Sequence, residues 1–211
     1  MSARTYLGLL PWVVFAFVAR GSLEGVAWGG FAALVTAGAI ASASARTRSV
    51  KDLEIFAVAL FAGIAVAGAL NQHDPQGFLQ RYHSGLAVGA LACFAVASLT
   101  FQPFTEPYAR EIVQRKYWNT ARFTRTNLEL TLMWAVVFAA ITASQITAGA
   151  LETRLGATIF NWIVPVGFVL LGAKQASLRW SDQFDEESMS LDAMLSQGEL
   201  WAAPGQDSSP L

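Results

Sequence analysis

Six apolar runs follow one another along this chain, at residues 6–20, 25–45, 53–70, 83–101, 128–148 and 157–173. Most of the links between them are too short to fold alone. About 20 apolar residues make a helix that crosses a ~30 Å hydrocarbon core, and a helix satisfies its own backbone there. So many long apolar runs cannot all be hidden inside one small water-soluble domain. The chain is therefore expected to be all-α, a polytopic transmembrane helix bundle of about six spans. Its charge content agrees: 14% of the 211 residues are charged, against about 25% in ordinary soluble domains.

The first run is the shortest. Tyr6 to Ala19 gives only about 21 Å of helix. It reads either as a short span extended by snorkelling of Arg4 and Arg20, or as one arm of a re-entrant hairpin. No cleavage signal follows it, so a retained helix is expected. Pro11 lies in its first half and needs neighbours to satisfy the carbonyl it frees. Gly25 and Gly29, and again Gly85 and Gly89, stand four apart. That spacing lets helix backbones approach closely where lipid gives no hydrophobic drive for association, although Gly is also simply common in such helices.

The longest link, residues 102–127, is also the most basic, with Arg110, Arg115, Lys116, Arg122 and Arg125. From Glu106 onward it suits an interfacial helix. Thr105 can cap it, and Pro107 suits its first turn. Tyr108, Ala109, Ile112, Val113 and Tyr117 fall on one stripe, and Glu106–Arg110 and Glu111–Arg115 are i,i+4 pairs. Trp118 and Phe123 suit headgroup depth, and Thr126 or Asn127 can cap the fifth span. This link is either a connector that sets topology or a docking surface for anionic lipid headgroups or envelope proteins. Arg110, Arg115, Lys116, Trp118, Arg122 and Arg125 would carry the docking.

Lys and Arg divide unevenly between the two sides of a six-span arrangement. Arg4, Arg46, Arg48, Lys51, the five of the central loop, Lys174 and Arg179 fall on one side, and Arg20, Arg81 and Arg154 on the other. Positive charge is retained on the cytoplasmic side during insertion. Both termini are therefore expected in the cytoplasm of a cell with the protein in its inner membrane. Beyond residue 180 the chain has seven acids and no Lys or Arg. This acidic tail, 181–211, reads as disordered, with 190–201 able to form a short helix. A basic body with an acidic tail and no soluble basic patch excludes a nucleic-acid partner.

Ionisable residues inside spans are costly and functional by default. Here they gather at span ends. Glu54, Gln102, Asn127, Glu129 and Lys174 fall at one depth and can form a polar ring at the cytoplasmic mouth, with Lys174 paired to Glu54 or Glu129; the alternative is capping and snorkelling. Gln145 and Asn161, beside Trp162, serve as interhelical glue or as ligand contacts. Pro165 breaks the sixth span, as in some transport sites. His73, Asp74 and His83 meet no metal-ligand spacing, and no metal or cofactor is expected. The single Cys93 sits in an apolar run and is expected to be buried. No catalytic motif is present.

Leu10-Pro11 with Val14-Phe15, then Gln102-Pro103, Arg110-Glu111, Trp118, Asn127 and the run from Trp134 to Phe138 resemble the intracellular septation protein A family of bacterial inner-membrane proteins. The likeness covers residues 6–20 and 100–140. The Trp118-to-Asn127 gap is longer than in that family. Asn161 is followed by Trp162 and Ile163 rather than Phe-Lys, and the acidic tail is additional. The resemblance implies a multi-span envelope protein, a structural or interaction component without catalytic residues. A small-solute transporter or channel is the alternative.

Overall fold

A computed structural model describes residues 7–19, 24–47, 49–71, 77–151 and 153–178. Arg4, Arg20, Arg48, His73, Asp74, Arg179 and the acidic tail lie outside the described residues. All regular structure among the described residues is helical. The chain divides into two compact units, Met1–Gly172 and Ala173–Leu211; of the second, residues 173–178 are described, and they are helical.

The elements are α1 (Leu10–Val18), α2 (Gly25–Arg46), α3 (Asp52–Leu70), α4 (Phe78–Ser98), a single turn α5 (Glu106–Ala109), a 3-10 turn (Arg115–Tyr117), and α6 (Ala121–Ala150). A last helix starts as α7 (Arg154–Thr158), passes through a π turn (Ile159–Ile163) and continues as α8 over 164–178. Four helices are long and apolar enough to cross a membrane: α2, α3, α6 and Leu155–Leu178. This indicates a membrane protein. The outward faces agree, because Trp28, Phe31 and Val35 on α2, Val66 and Leu70 on α3, and Leu132 and Val136 on α6 are all exposed. Water would penalise apolar surface of that extent.

α1 has nine helical residues, about 14 Å, too few to cross alone. Pro11 is at its start, where a missing N–H costs nothing, so no freed carbonyl needs rescue. α4 matches the apolar helices in length, but Arg81 and His83 dilute the apolarity of its first turns. Its start at Phe78 precedes the expected 83 because the helix extends through its polar first turn.

Helix pairs form by close backbone approach. α1 packs on α2, α2 on α3, and α4 on α6. A Cβ on Gly30 would lie 2.7 Å from the Ala65 amide nitrogen, and one on Gly68 would lie 2.6 Å from that of Ala27. The small-residue spacings do the same. Gly25 and Gly29 meet Ala19 at the end of α1, while Gly85 and Gly89 meet Ile146 and Thr142 of α6. An aromatic core fills the bundle: Trp12 meets Phe61 edge-on at 5.1 Å, Phe56 stacks on Phe94 at 4.5 Å, and Trp134 stacks on Phe138 at 5.7 Å. The Trp12 indole donates to the Ala87 carbonyl at 3.1 Å, tying α1 to α4. Cys93 is exposed, contrary to expectation. In a membrane protein both the lipid-facing and the packed side of a helix are apolar, so an apolar run does not say which side a residue occupies.

Candidate functional site

The central loop is shorter than its sequence suggests. α6 begins at Ala121, where the Thr120 hydroxyl accepts from the Phe123 amide at 3.2 Å. Neither Thr126 nor Asn127 caps it; both sit within its second turn. The expected interfacial helix does not form. After α5 the chain turns at Arg110, and the Ile112 and Val113 amides both return to the Ala109 carbonyl. Of the apolar stripe, Tyr108 and Ala109 are buried against the bundle, Val113 and Tyr117 are half-buried, and Ile112 is exposed.

Three anchors hold it. The first is at the end of α4. The Ser98 hydroxyl donates to the Ala95 carbonyl at 2.8 Å and accepts from the Phe104 amide at 3.3 Å, so the chain folds back at once. Phe104 then packs against Phe94 and Phe138. The second anchor is Thr105. It makes no capping bond for α5. Its hydroxyl lies 3.0 Å from the Asn127 carbonyl, 3.3 Å from the Asn127 side-chain oxygen and 2.9 Å from the Thr131 hydroxyl. One O–H serves one acceptor at a time, so Thr131 donates to Thr105 while Thr105 donates to Asn127. The Asn127 amide donates to the Phe123 carbonyl at 2.8 Å. All three residues are buried, which satisfies a polar node that would otherwise be costly.

The third anchor joins the loop to the start of α3. Lys51, 7% exposed, places its ammonium 2.8 Å from Glu111 and 4.0 Å from the Tyr108 ring centre. Glu111 therefore pairs with Lys51, where the sequence spacing favours Arg115. Glu54 accepts from the Ser44 hydroxyl at 2.8 Å and from the Lys51 amide at 3.4 Å, closing the first turn of α3. The Tyr108 ring is 4% exposed, and its hydroxyl has no hydrogen-bond partner among the described residues. A Cβ on Gly8 would lie 2.6 Å from that oxygen. Burial pushes the Tyr108 phenol well above its ordinary range, and the charges of Glu54 and Glu111 push it the same way. Tyr108 is thus a neutral wedge under the loop.

The polar ring is only partly assembled. Glu54 and Asn127 are buried, but each belongs to a separate anchor. Gln102 is half-buried at the fold-back. Glu129 is at the surface, where it accepts from the Arg125 guanidinium at 3.0 Å. Lys174 belongs to the second unit and is exposed; its carbonyl accepts from the Ser177 hydroxyl at 2.8 Å. The sequence marks Lys51 only as one of the cytoplasmic-side cations and Tyr108 only as part of an apolar stripe, and neither as a site residue. The only local trace was Lys51 standing three residues before Glu54 at a helix start.

With the loop's apolar side pinned down, its basic side faces out. Arg110, Arg115, Lys116, Arg122 and Arg125 are all exposed. Arg110 bonds Glu106 at 2.5 Å, the one i,i+4 pair of the loop that forms as its spacing suggests. Arg110 and Arg115 approach the Trp118 ring at 5.2 and 6.0 Å, and the Trp118 indole donates to the Val113 carbonyl at 3.0 Å.

At the far end of the bundle, the π turn precedes Pro165, which has no N–H to offer the Asn161 carbonyl. The Ser144 hydroxyl donates to the Phe160 carbonyl at 2.6 Å, and Trp162 packs on Phe17 at 4.6 Å. Gln145 is buried, with its side-chain oxygen unpartnered among the described residues. His83 approaches the Gln80 carbonyl at 2.8 Å and the Phe15 ring. Among the described residues no three His, Cys, Asp or Glu side chains gather as a metal site would require. Comparison with protein-family models, curated proteins and solved structures finds no match.

Proposed function

We propose that this chain is a multi-span protein of the bacterial inner membrane, with about six spans and both termini cytoplasmic, acting as a structural or interaction component of the cell envelope. The observation that carries this reading is the two-sided central loop. One side is locked to the bundle through Thr105, Tyr108 and the Lys51–Glu111 pair, while the other presents five cations and Trp118. A connector needed only for topology has no use for a buried polar node and a buried lysine paired to one of its carboxylates. The uneven division of Lys and Arg supports the orientation. The likeness of residues 6–20 and 100–140 to the intracellular septation protein A family supports the same class of role.

The test has two arms. Gln114→Cys, at an exposed loop position and in a Cys93→Ser background, reacts with a membrane-impermeant maleimide only after the inner membrane is opened. A photo-crosslinking residue at Arg115 captures envelope proteins, and capture falls when Arg122 and Arg125 are changed to Glu. Labelling in intact spheroplasts would overturn the orientation. Capture indifferent to the charge reversal would overturn the interaction role.

A second reading, a small-solute transporter or channel, is favoured by one feature: the π turn at Ile159–Ile163 beside the buried Gln145. Solute flux in proteoliposomes that is abolished by Asn161→Ala or Gln145→Ala would establish it over the first.

A further inference from the structure

α6 is a 30-residue helix, about 45 Å long and so longer than a hydrocarbon core. Its excess length is at the N-terminal end, which carries Arg122 and Arg125. Steps of three and four residues keep one helix face in phase. Arg125, Leu128, Leu132, Val136 and Ile146 fall on one such face, and all are exposed. The Arg125 side chain is 82% exposed and Leu132 and Val136 are 54% and 62% exposed. Val136 lies eleven positions beyond Arg125, about 16 Å along the axis, close to one leaflet of hydrocarbon. This face is therefore cationic at one end and apolar for one leaflet's depth beneath it.

We infer that this face holds an anionic phospholipid, its phosphate at Arg125 and Arg122 and an acyl chain along Leu128, Leu132 and Val136. The assignment rests on the membrane reading above. Arg125 engages Glu129 through Nε, and its two terminal nitrogens make no hydrogen bond among the described residues. That planar fork matches a phosphate. The Arg125–Glu129 pair is exposed, so solvent screens it and it competes weakly. A free phosphate would have no use for the apolar half of the face, and a soluble partner would not reach it inside a bilayer.

The test uses the full chain carrying Cys93→Ser and Leu132→Cys, labelled with bimane. It is reconstituted in phosphatidylcholine vesicles with one tenth of the lipid brominated, either phosphatidylglycerol or phosphatidylcholine. Each Arg near a surface favours an anionic lipid by about fivefold, so brominated phosphatidylglycerol should occupy the site several-fold more often and quench more strongly. Arg122→Gln with Arg125→Gln, or 0.5 M salt, should bring the two lipids level. A label at Ile146→Cys, about 31 Å from Arg125 and in the other leaflet, should show no preference. Equal quenching at Leu132, or a preference that survives the Arg substitutions or recurs at Ile146, would overturn the lipid assignment alone. No quenching by either lipid would overturn both it and the membrane reading.

Discussion

The Lys51–Glu111 pair should behave as a half-buried ion pair, with Lys51 out of water and Glu111 at its edge. At 2.8 Å, the gross attraction is about 6 kcal/mol at an effective dielectric of 20, most of it offset by desolvation. Lys51 is 7% exposed, whereas the Glu111 side chain is 23% exposed. Glu111→Gln leaves the buried Lys51 ammonium without its ion-pair partner, which should cost about 2–3 kcal/mol, near the lower end for breaking a buried pair. Lys51→Met keeps the apolar stem and leaves Glu111 near water, so about 1 kcal/mol is expected. The double variant should fall near wild type, because apolar replacement of a buried pair is often neutral. The readout is amide hydrogen exchange of Ile112 and Val113, which bond Ala109 within the docked loop. Protection should fall roughly 30–150-fold in Glu111→Gln, about fivefold in Lys51→Met, and recover in the double variant. Additive losses of similar size in all three variants would refute the claim that this pair holds the loop down.

Thr105→Val removes the hydroxyl that Asn127 and Thr131 share, and should destabilise by about 1–2 kcal/mol with faster proteolysis between 110 and 120; Thr105→Ser should restore resistance. Gly30→Ala and Gly68→Ala should each break the α2–α3 packing and lower the melting temperature, since a Cβ would meet backbone at under 3 Å. Gly38→Ala has nothing within 4 Å and should raise stability by about 0.5–1 kcal/mol, which differential scanning fluorimetry in detergent can read. Tyr108 holds its proton longer folded than unfolded, so its contribution is intact below about pH 10 and is lost as pH rises further. Tyr108→Phe should therefore leave the tyrosinate absorbance gained by pH 11 unchanged, and should not destabilise, because the hydroxyl it removes has no partner among the described residues.

The parts of this fold that were legible are those decided within one or two turns of chain. An apolar run of membrane length becomes a helix whatever surrounds it, and so α2, α3 and the body of α6 stand where their residues put them. The ends are different. α6 starts seven residues before the expected 128 because Thr120 supplies a cap and nothing between it and Leu128 stops a helix, although polar residues there read as loop. The stripe from Tyr108 to Tyr117 has helical periodicity, yet Tyr108 alone meets both Gly8 and Lys51, while Ile112 is left exposed, and the chain turns after Ala109 instead of continuing as a helix. Periodicity reports that a segment has an apolar side and says nothing of how irregular the opposing surface is. Cys93 makes the same point in reverse, since lipid and protein core ask for the same residue. The pairing of Glu111 with Lys51 across sixty positions was invisible for a further reason: a charge near a span end has many candidate partners, and burial selects among them. Once α3 brings Lys51 out of water beside Tyr108, only a carboxylate can hold it there, and Glu111 is the loop residue the docked geometry delivers. The loop's basic face then follows from its buried one, because each side chain committed to the bundle fixes which of its neighbours are left outside.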